Sequence, residues 1–246
     1  MKEKFLIERN DAVKFLNGLD DESVDLFITD PPYESMEKHR SVGTTTRLKS
    51  KWFPIFKDKR MHELFSECFR VLKNNSHFYV FTNWDTSLVV KPIAEEIGFK
   101  AWTPIIWDKV AIGTGYHYRS RYEMIMFFEK GKRKLSSMSV SNVLSYKRVH
   151  GGFPTQKPVD LIKILIEQSS EYGEVVCDPF LGSGSTAVAC LKTNRKFIGC
   201  DVWDEAIKVS RMRLDSMIGV KDQLTQKEKR RNDNWRDKCR RNIDYY

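Results

Sequence analysis

The stretch CDPFLGSGSTAVAC, residues 177–190, follows an apolar run beginning at Glu174 and passes into a segment of helical spacing. Gly182 and Gly184 permit a tight turn and a close approach of a ligand to the backbone. Ala187 completes a G-x-G-x-x-A spacing, and Asp201 ends the next apolar run, 19 residues after Gly182. Strand, glycine turn, helix, strand and acid form the pattern of a nucleoside-cofactor site, in which the acid holds ribose hydroxyls. No lysine follows the second glycine, so this is not a phosphate loop of the ATPase kind. Taken alone, the pattern fits NAD as well as any other nucleoside cofactor. A side chain at Gly184 is expected to occupy the ligand's space.

Working outward, apolar runs and periodic segments alternate. Strands are expected at 5–7, 24–29, 78–81, 101–107, 121–129, 174–177 and 196–200. Helical spacing covers 11–16, 59–73, 86–97 (stopped by Gly98), 158–168 and 203–217. Such alternation predicts an α/β fold, a mostly parallel doubly wound sheet covered on both faces. Residues 1–220 read as one domain, with 34–60 as a long polar loop and 130–152 as a short connection. The tail, 221–246, is basic and either helical or disordered.

A second corner stands at TDPPYES, residues 29–35. Two consecutive prolines donate no backbone hydrogen bonds and do not continue a sheet. The chain is turned out of the sheet where Asp30 and Tyr33 are presented. In a doubly wound sheet, ligands sit at the carboxyl ends of strands where the topology switches. If strands 24–29 and 174–177 are neighbours, Asp30 and the glycine corner share one crevice.

The net charge is +9, unevenly spread. Residues 34–60 carry +5, residues 109–135 carry +5 and the tail carries +4, which leaves −5 on the rest. Three basic stretches on a mildly acidic body favour a polyanion partner, nucleic acid being the commonest. The five cysteines include no C-x-x-C pair and the five histidines are scattered, so the expectation is reduced thiols and no metal site. No apolar run reaches membrane-spanning length, and the N-terminus lacks a signal-peptide pattern.

The two corners together resemble the DNA amino-methyltransferases of the permuted beta order, in which the catalytic motif precedes the cofactor motif. The catalytic signature is Asp30-Pro31-Pro32-Tyr33, and the cofactor signature runs from Asp178 to Thr186. Phe153-Pro154-Thr155-Gln156-Lys157-Pro158 resembles the family's HPTQKP segment, which helps bind the methionine end of the cofactor. The resemblance implies a Rossmann-like methyltransferase fold, S-adenosylmethionine as cofactor and double-stranded DNA as partner. It implies catalytic roles for Asp30, Pro31, Pro32 and Tyr33. Cofactor contacts are expected from Asp11 (near the adenine), Asp30, Thr155, Gln156, Lys157, Asp178, Phe180, Gly182, Ser183, Gly184, Thr186 and Asp201 (at the ribose). DNA contacts are expected from Arg40, Arg47, Lys49, Lys51, Arg119 and Arg121.

Three positions depart from the family pattern: Phe153 where His is usual, Glu34 where Asn is frequent, and Ser185 for a common Thr. Within the family, Asp at the first motif position leans to adenine N6 and Ser to cytosine N4. The expected activity is therefore methylation of a flipped adenine, with cytosine N4 as the alternative. A nicotinamide-dependent oxidoreductase and a basic nucleic-acid-binding module with a vestigial cofactor site are the readings from other classes. The same resemblance implies a cytoplasmic, nucleoid-associated protein of a bacterium or phage. A homodimer and a companion restriction endonuclease stay open.

Overall fold

The computed structural model describes residues 5–33, 56–113, 117–151, 153 and 155–219. Arg40, Arg47, Lys49, Lys51, most of the expected 34–60 loop and the tail lie outside the described residues. A central sheet carries the strands β1 (Phe5–Arg9), β2 (Val24–Thr29), β3 (Leu72–Thr82), β4 (Lys100–Ala101), β5 (Ile105–Asp108), β6 (Tyr122–Lys130), β7 (Val143–Ser145), β8 (Val175–Asp178) and β9 (Lys196–Asp201). Their order across the sheet is β1-β9-β8-β2-β3-β6-β5-β7, with β4 also paired to β6. The run from β1 to β3 is parallel, and β6 lies antiparallel to its neighbours β3, β4 and β5. The fold is the mostly parallel, doubly wound α/β sheet expected from the alternation of segments.

Helices α1 (Ala12–Asn17), α2 (Met61–Val71) and α3 (Trp84–Ile97) cover one face. Helices α4 (Val159–Ser169), α5 (Ser185–Thr193) and α6 (204–219) cover the other. β2 is buried throughout, and its side chains divide between the two faces. Leu26 and Ile28 join the core under α4 to α6, and Phe27 joins the core under α1 to α3. A register irregularity between Val24 and Leu26 shifts the phase of the strand, so Val24 packs with Phe27.

β2 and β8 are direct neighbours, with Leu26 opposite Val176 and Phe27 opposite Cys177. From β2 the chain crosses by α2 to β3 on one side; from β8 it crosses by α5 to β9 on the other. The switch point of the sheet therefore lies between them, and the two corners read from the sequence open into the same crevice.

Several boundaries differ from expectation, each for a local reason. Strand 101–107 is interrupted, because Pro104 has no N–H to donate and separates β4 from β5. The expected helix 59–73 ends at Val71, since Leu72 already pairs with Val24 and opens an eleven-residue β3. β7 lies inside the expected polar connection. Only Leu144 of its three residues turns inward, too weak a pattern to signal a strand.

One buried acid was not singled out by its context in the sequence. Asp25 is 6 % exposed on β2, where Lys73 donates to its Oδ1 at 2.6 Å and the Val175 amide to its Oδ2 at 2.9 Å. It joins β3 and β8 to β2 at the end of the sheet away from the crevice. Asp25→Ala leaves the Val175 amide without its acceptor and is expected to cost about 1–3 kcal/mol, read as a lower urea midpoint at unchanged m-value.

Candidate active site

Four acids stand at the carboxyl ends of four adjacent parallel strands: Asp11 beyond β1, Asp201 on β9, Asp178 on β8 and Asp30 beyond β2. Each is held differently. Asp11 caps α1 by accepting from the Val13 and Lys14 amides at 3.2 and 3.3 Å. It also takes a two-pronged pair from Arg60 at 2.8 and 2.9 Å, which with the capping bonds holds its pKa below the usual value against the opposing effect of burial. The Arg60 guanidinium lies 5.0 Å from the centre of the Phe56 ring, and Phe56 meets Phe180 edge-on at 5.1 Å. Arg60 was not anticipated; it lies in a segment whose charges read only as a basic loop.

Asp201 accepts the Gly182 amide on Oδ2 and the Trp203 amide on Oδ1, both at 2.9 Å. It thereby fixes the glycine corner as well as standing beside it. Burial raises its pKa against those bonds. Asp178 is enclosed, receives Thr186 Oγ1 at 2.7 Å and the Phe180 amide at 3.1 Å, and is pushed up to about 7 by burial.

At the corner itself, Gly182 and Gly184 take φ values of +50° and +76°. A Cβ on Gly182 would lie at ordinary contact distance from the Phe180 carbonyl oxygen, 3.9 Å, and the Phe153 ring, 4.0 Å. A Cβ on Gly184 would instead come within 2.7 Å of the Ser210 Cβ on α6. Glycine at 184 is thus required by the packing of α6 against the corner and by its left-handed backbone.

The Asp30 corner follows from the prolines. Pro32 presents its carbonyl to the Phe56 amide at 2.8 Å, and Tyr33 forms a parallel bridge with Phe56. Tyr33 is 3 % exposed and packs in the core under α1 to α3. Its hydroxyl and that of Thr29 are buried without a hydrogen-bond partner among the described residues. Asp30 retains 35 % of its side-chain exposure. Lys157 Nζ donates to Asp30 Oδ2 and lies 3.5 Å from Glu123 Oε2, while Lys109 Nζ reaches Glu123 Oε1 at 2.8 Å.

Two carboxylates and two ammoniums therefore alternate below the crevice. Burial raises the Asp30 pKa, and Lys157 opposes it. Burial alone would lower Lys157, but Asp30 and Glu123 reverse this and keep it charged. Burial likewise favours neutral Glu123, and the two lysines overcome it.

The segment between the corners joins them physically. Ser185 Oγ donates to the Lys157 carbonyl at 2.8 Å, so Lys157 is tied to the glycine corner by its backbone and to Asp30 by its side chain. Thr155 is held at φ +59° two residues earlier, a conformation that a β-branched residue rarely adopts. The Gln156 amide bonds the Phe153 carbonyl at 3.2 Å, and the Phe153 ring lies 5.2 Å from that of Trp203. Ser183 also lines the corner, its hydroxyl 3.2 Å from that of Ser185.

The two arginines expected to contact DNA in the 109–135 stretch differ. Arg119 is exposed, whereas Arg121 gives Nε and Nη2 to Asp108 at 2.6 and 2.8 Å. That pair closes the base of the excursion between β5 and β6 and holds the Asp108 carboxyl well below the usual range. Glu123 and Lys109 were missed in the sequence. The available signal was only an acid placed early in the apolar strand YEMIMFF.

Comparison with known proteins agrees with this geometry. The chain is 31% identical over 251 residues to the type II methyltransferase M.HpaI of Haemophilus parainfluenzae, covering 90% of this chain and 77% of that protein. It is 28% identical over 249 residues to the DNA adenine methyltransferase YhdJ of Escherichia coli, covering 85% and 82%. The crystal structure of the M1.HpyAVI–SAM complex shares the fold at a TM-score of 0.65 and 22% identity, over 85% of this chain and 99% of that one. The N6/N4 DNA methylase family model matches residues 24–212. A match that begins on β2 and ends within α6 takes in both corners and the lysine that joins them, and the chain belongs to the N6/N4 DNA methylase family.

Proposed function

We propose that this chain transfers a methyl group from S-adenosylmethionine to the N6 amine of an adenine in DNA. The observation that carries the reading is the placement of Asp30 and the glycine corner at the carboxyl ends of neighbouring strands, tied together by Lys157. The residues present fit the cofactor. Gly182 holds φ +50° with no close steric neighbour, Asp201 accepts its amide from the next strand end, and Phe180 and Phe153 flank the corner. Asp11, Thr155, Gln156, Lys157, Asp178, Ser183, Gly184 and Thr186 complete or support that cradle. When bound, the cofactor supplies an electrophilic methyl group on a sulfonium.

The chain's own part is to hold the acceptor. The lone pair of an exocyclic amine is delocalised into the ring, so the amine is a poor nucleophile. The Asp30 carboxylate and the Pro31 carbonyl accept its two N–H bonds and draw the nitrogen toward tetrahedral geometry. Pro31 and Pro32 fix the corner, so this is positioning and electrostatics without reorganisation. Asp30 need not be a strong base, since the amine becomes acidic only as the methyl arrives. The base must leave the duplex to reach the crevice, at a cost of a few kcal/mol.

Adenine is favoured over cytosine by the aspartate that opens the motif, and similarity to YhdJ points the same way. Incubating the chain with labelled S-adenosylmethionine and mixed-sequence duplex, then digesting to nucleosides, decides the acceptor. N6-methyladenine is the expected product; N4-methylcytosine instead would overturn the adenine assignment, and stabilisation by NAD in place of S-adenosylmethionine would overturn the whole reading.

Asp30→Ala is expected to abolish transfer while cofactor affinity stays within about tenfold, below the ~1.4 kcal/mol that a tenfold change represents. Asp201→Ala should weaken cofactor binding by about 1–3 kcal/mol, because the lost carboxylate also releases the Gly182 amide. Calorimetry checks both. Arg119→Ala should lower DNA affinity and make the slope of log K against log salt shallower by about 0.9, the share of one phosphate contact. Cofactor affinity serves as the control in that titration.

A further inference from the structure

Lys109 and Glu123 belong to no motif, yet they stand one step behind the reacting corner. Glu123 gives each of its oxygens to a different lysine, Oε1 to Lys109 and Oε2 to Lys157. The side chains of Lys109 and Lys157 are only 10 % and 11 % exposed, over the rings of Trp107 and Phe81. The support beneath them is stiff. Glu123 sits opposite Trp107 in the ladder, the Lys109 amide bonds the Arg121 carbonyl at 2.9 Å, and Val110 is locked at φ +64°. Lys157 grips Oδ2 of Asp30, and among the described residues nothing hydrogen-bonds Oδ1.

Resting on the methyltransferase reading above, we propose that Glu123 and Lys109 are positioning residues that hold Lys157 to one oxygen of Asp30 and so keep the other for the target amine. An ammonium facing a single carboxylate is free to bridge both of its oxygens, as Lys91 does with Glu95 on α3, at 2.7 Å to each. Glu123 draws Lys157 to one side. Lys109 keeps Glu123 from taking Lys157 away altogether and balances the second negative charge. The carboxylate plane of Asp30 is then fixed with Oδ1 facing the crevice, the condition for a well-aimed acceptor.

Charge makes the idea separable from mere packing. Asp30 is faced by Lys157 ahead of α4, by Glu123 on β6 and by Lys109 after β5, with Tyr33 and Asp178 also close. The ionised carboxylate is the form that accepts the amine. Removing the negative Glu123 lowers the Asp30 pKa, so the acid limb of the rate profile moves to lower pH. Removing the positive Lys157 raises that pKa, and the limb moves to higher pH.

The experiment measures kcat against pH for methyl transfer to duplex DNA, with cofactor affinity by calorimetry, for wild type, Glu123→Gln and Lys157→Gln. Glu123→Gln is expected to slow kcat by about tenfold to a hundredfold, the scale of a misplaced reacting group, at unchanged cofactor affinity. The acid limbs of the two variants should shift in opposite directions. Lys109→Met/Glu123→Gln removes both charges together, so that no buried Lys109 charge is left without its partner; it should show the same loss of kcat. An unaltered kcat in the Glu123 variants, or limbs that move the same way, overturns the inference while leaving the methyltransferase reading intact. A wild-type chain that methylates neither base overturns the reading beneath it.

Discussion

Lys157 is held at both ends. Its carbonyl accepts the Ser185 hydroxyl of the glycine corner, and its ammonium bonds Asp30 of the proline corner. Taking an ammonium out of water costs several kcal/mol unless opposite charge meets it. Here two carboxylates meet it, and the second of these is itself balanced by Lys109. The cluster is neutral as a whole and each member needs its neighbours. The connection before α4, the end of β2, the start of β6 and the end of β5 are consequently fixed relative to one another by one chain of charges. The cofactor half and the acceptor half of the site inherit their alignment from it.

The row of acids at the strand ends explains why the chemistry gathers at Asp30. Asp11 is committed to Arg60 and to the start of α1. Asp178 is enclosed, with its pKa raised by burial and with Thr186 and the Phe180 amide on its two oxygens. Asp201 spends its oxygens on two backbone amides. Asp30 alone of the four has an ionic partner on one oxygen and, among the described residues, no hydrogen bond on the other.

Much of this was legible in the chain. Two consecutive prolines after an apolar run fix where β2 must end, and the G-x-G-x-x-A spacing with Asp201 fixes where a ligand can approach a helix. Those are local rules, and local rules survive folding. What escaped was non-local or weakly patterned. Glu123 and Lys109 are fourteen residues apart and meet only because β5 and β6 are antiparallel. Asp25 sits in an apolar run, where nothing nearby tells that Lys73 and the Val175 amide will reach it. The Ser210 contact of Gly184 could not be read either, since Ser210 comes from a helix that the glycine motif does not mention. The polar stretch around β7 offered a single inward residue.

The order of the motifs along the chain has no bearing on the site they form. A doubly wound sheet places its ligands by strand neighbourhood, and β2 and β8 are neighbours although about 150 residues part them, the separation of Asp25 from the Val175 amide it receives. A sheet that pairs these strands builds the same crevice whichever is made first, provided one segment ties the two ends. Residues 153–157 are that segment. It tolerates changes that keep the tie and its shape: Ser185 still reaches the Lys157 carbonyl with the one hydroxyl it retains, and Phe153 meets Trp203 ring to ring where the family pattern has a polar side chain. Thr155 keeps its left-handed backbone, which turns the segment from the Phe153 ring to the Lys157 ammonium within a few residues.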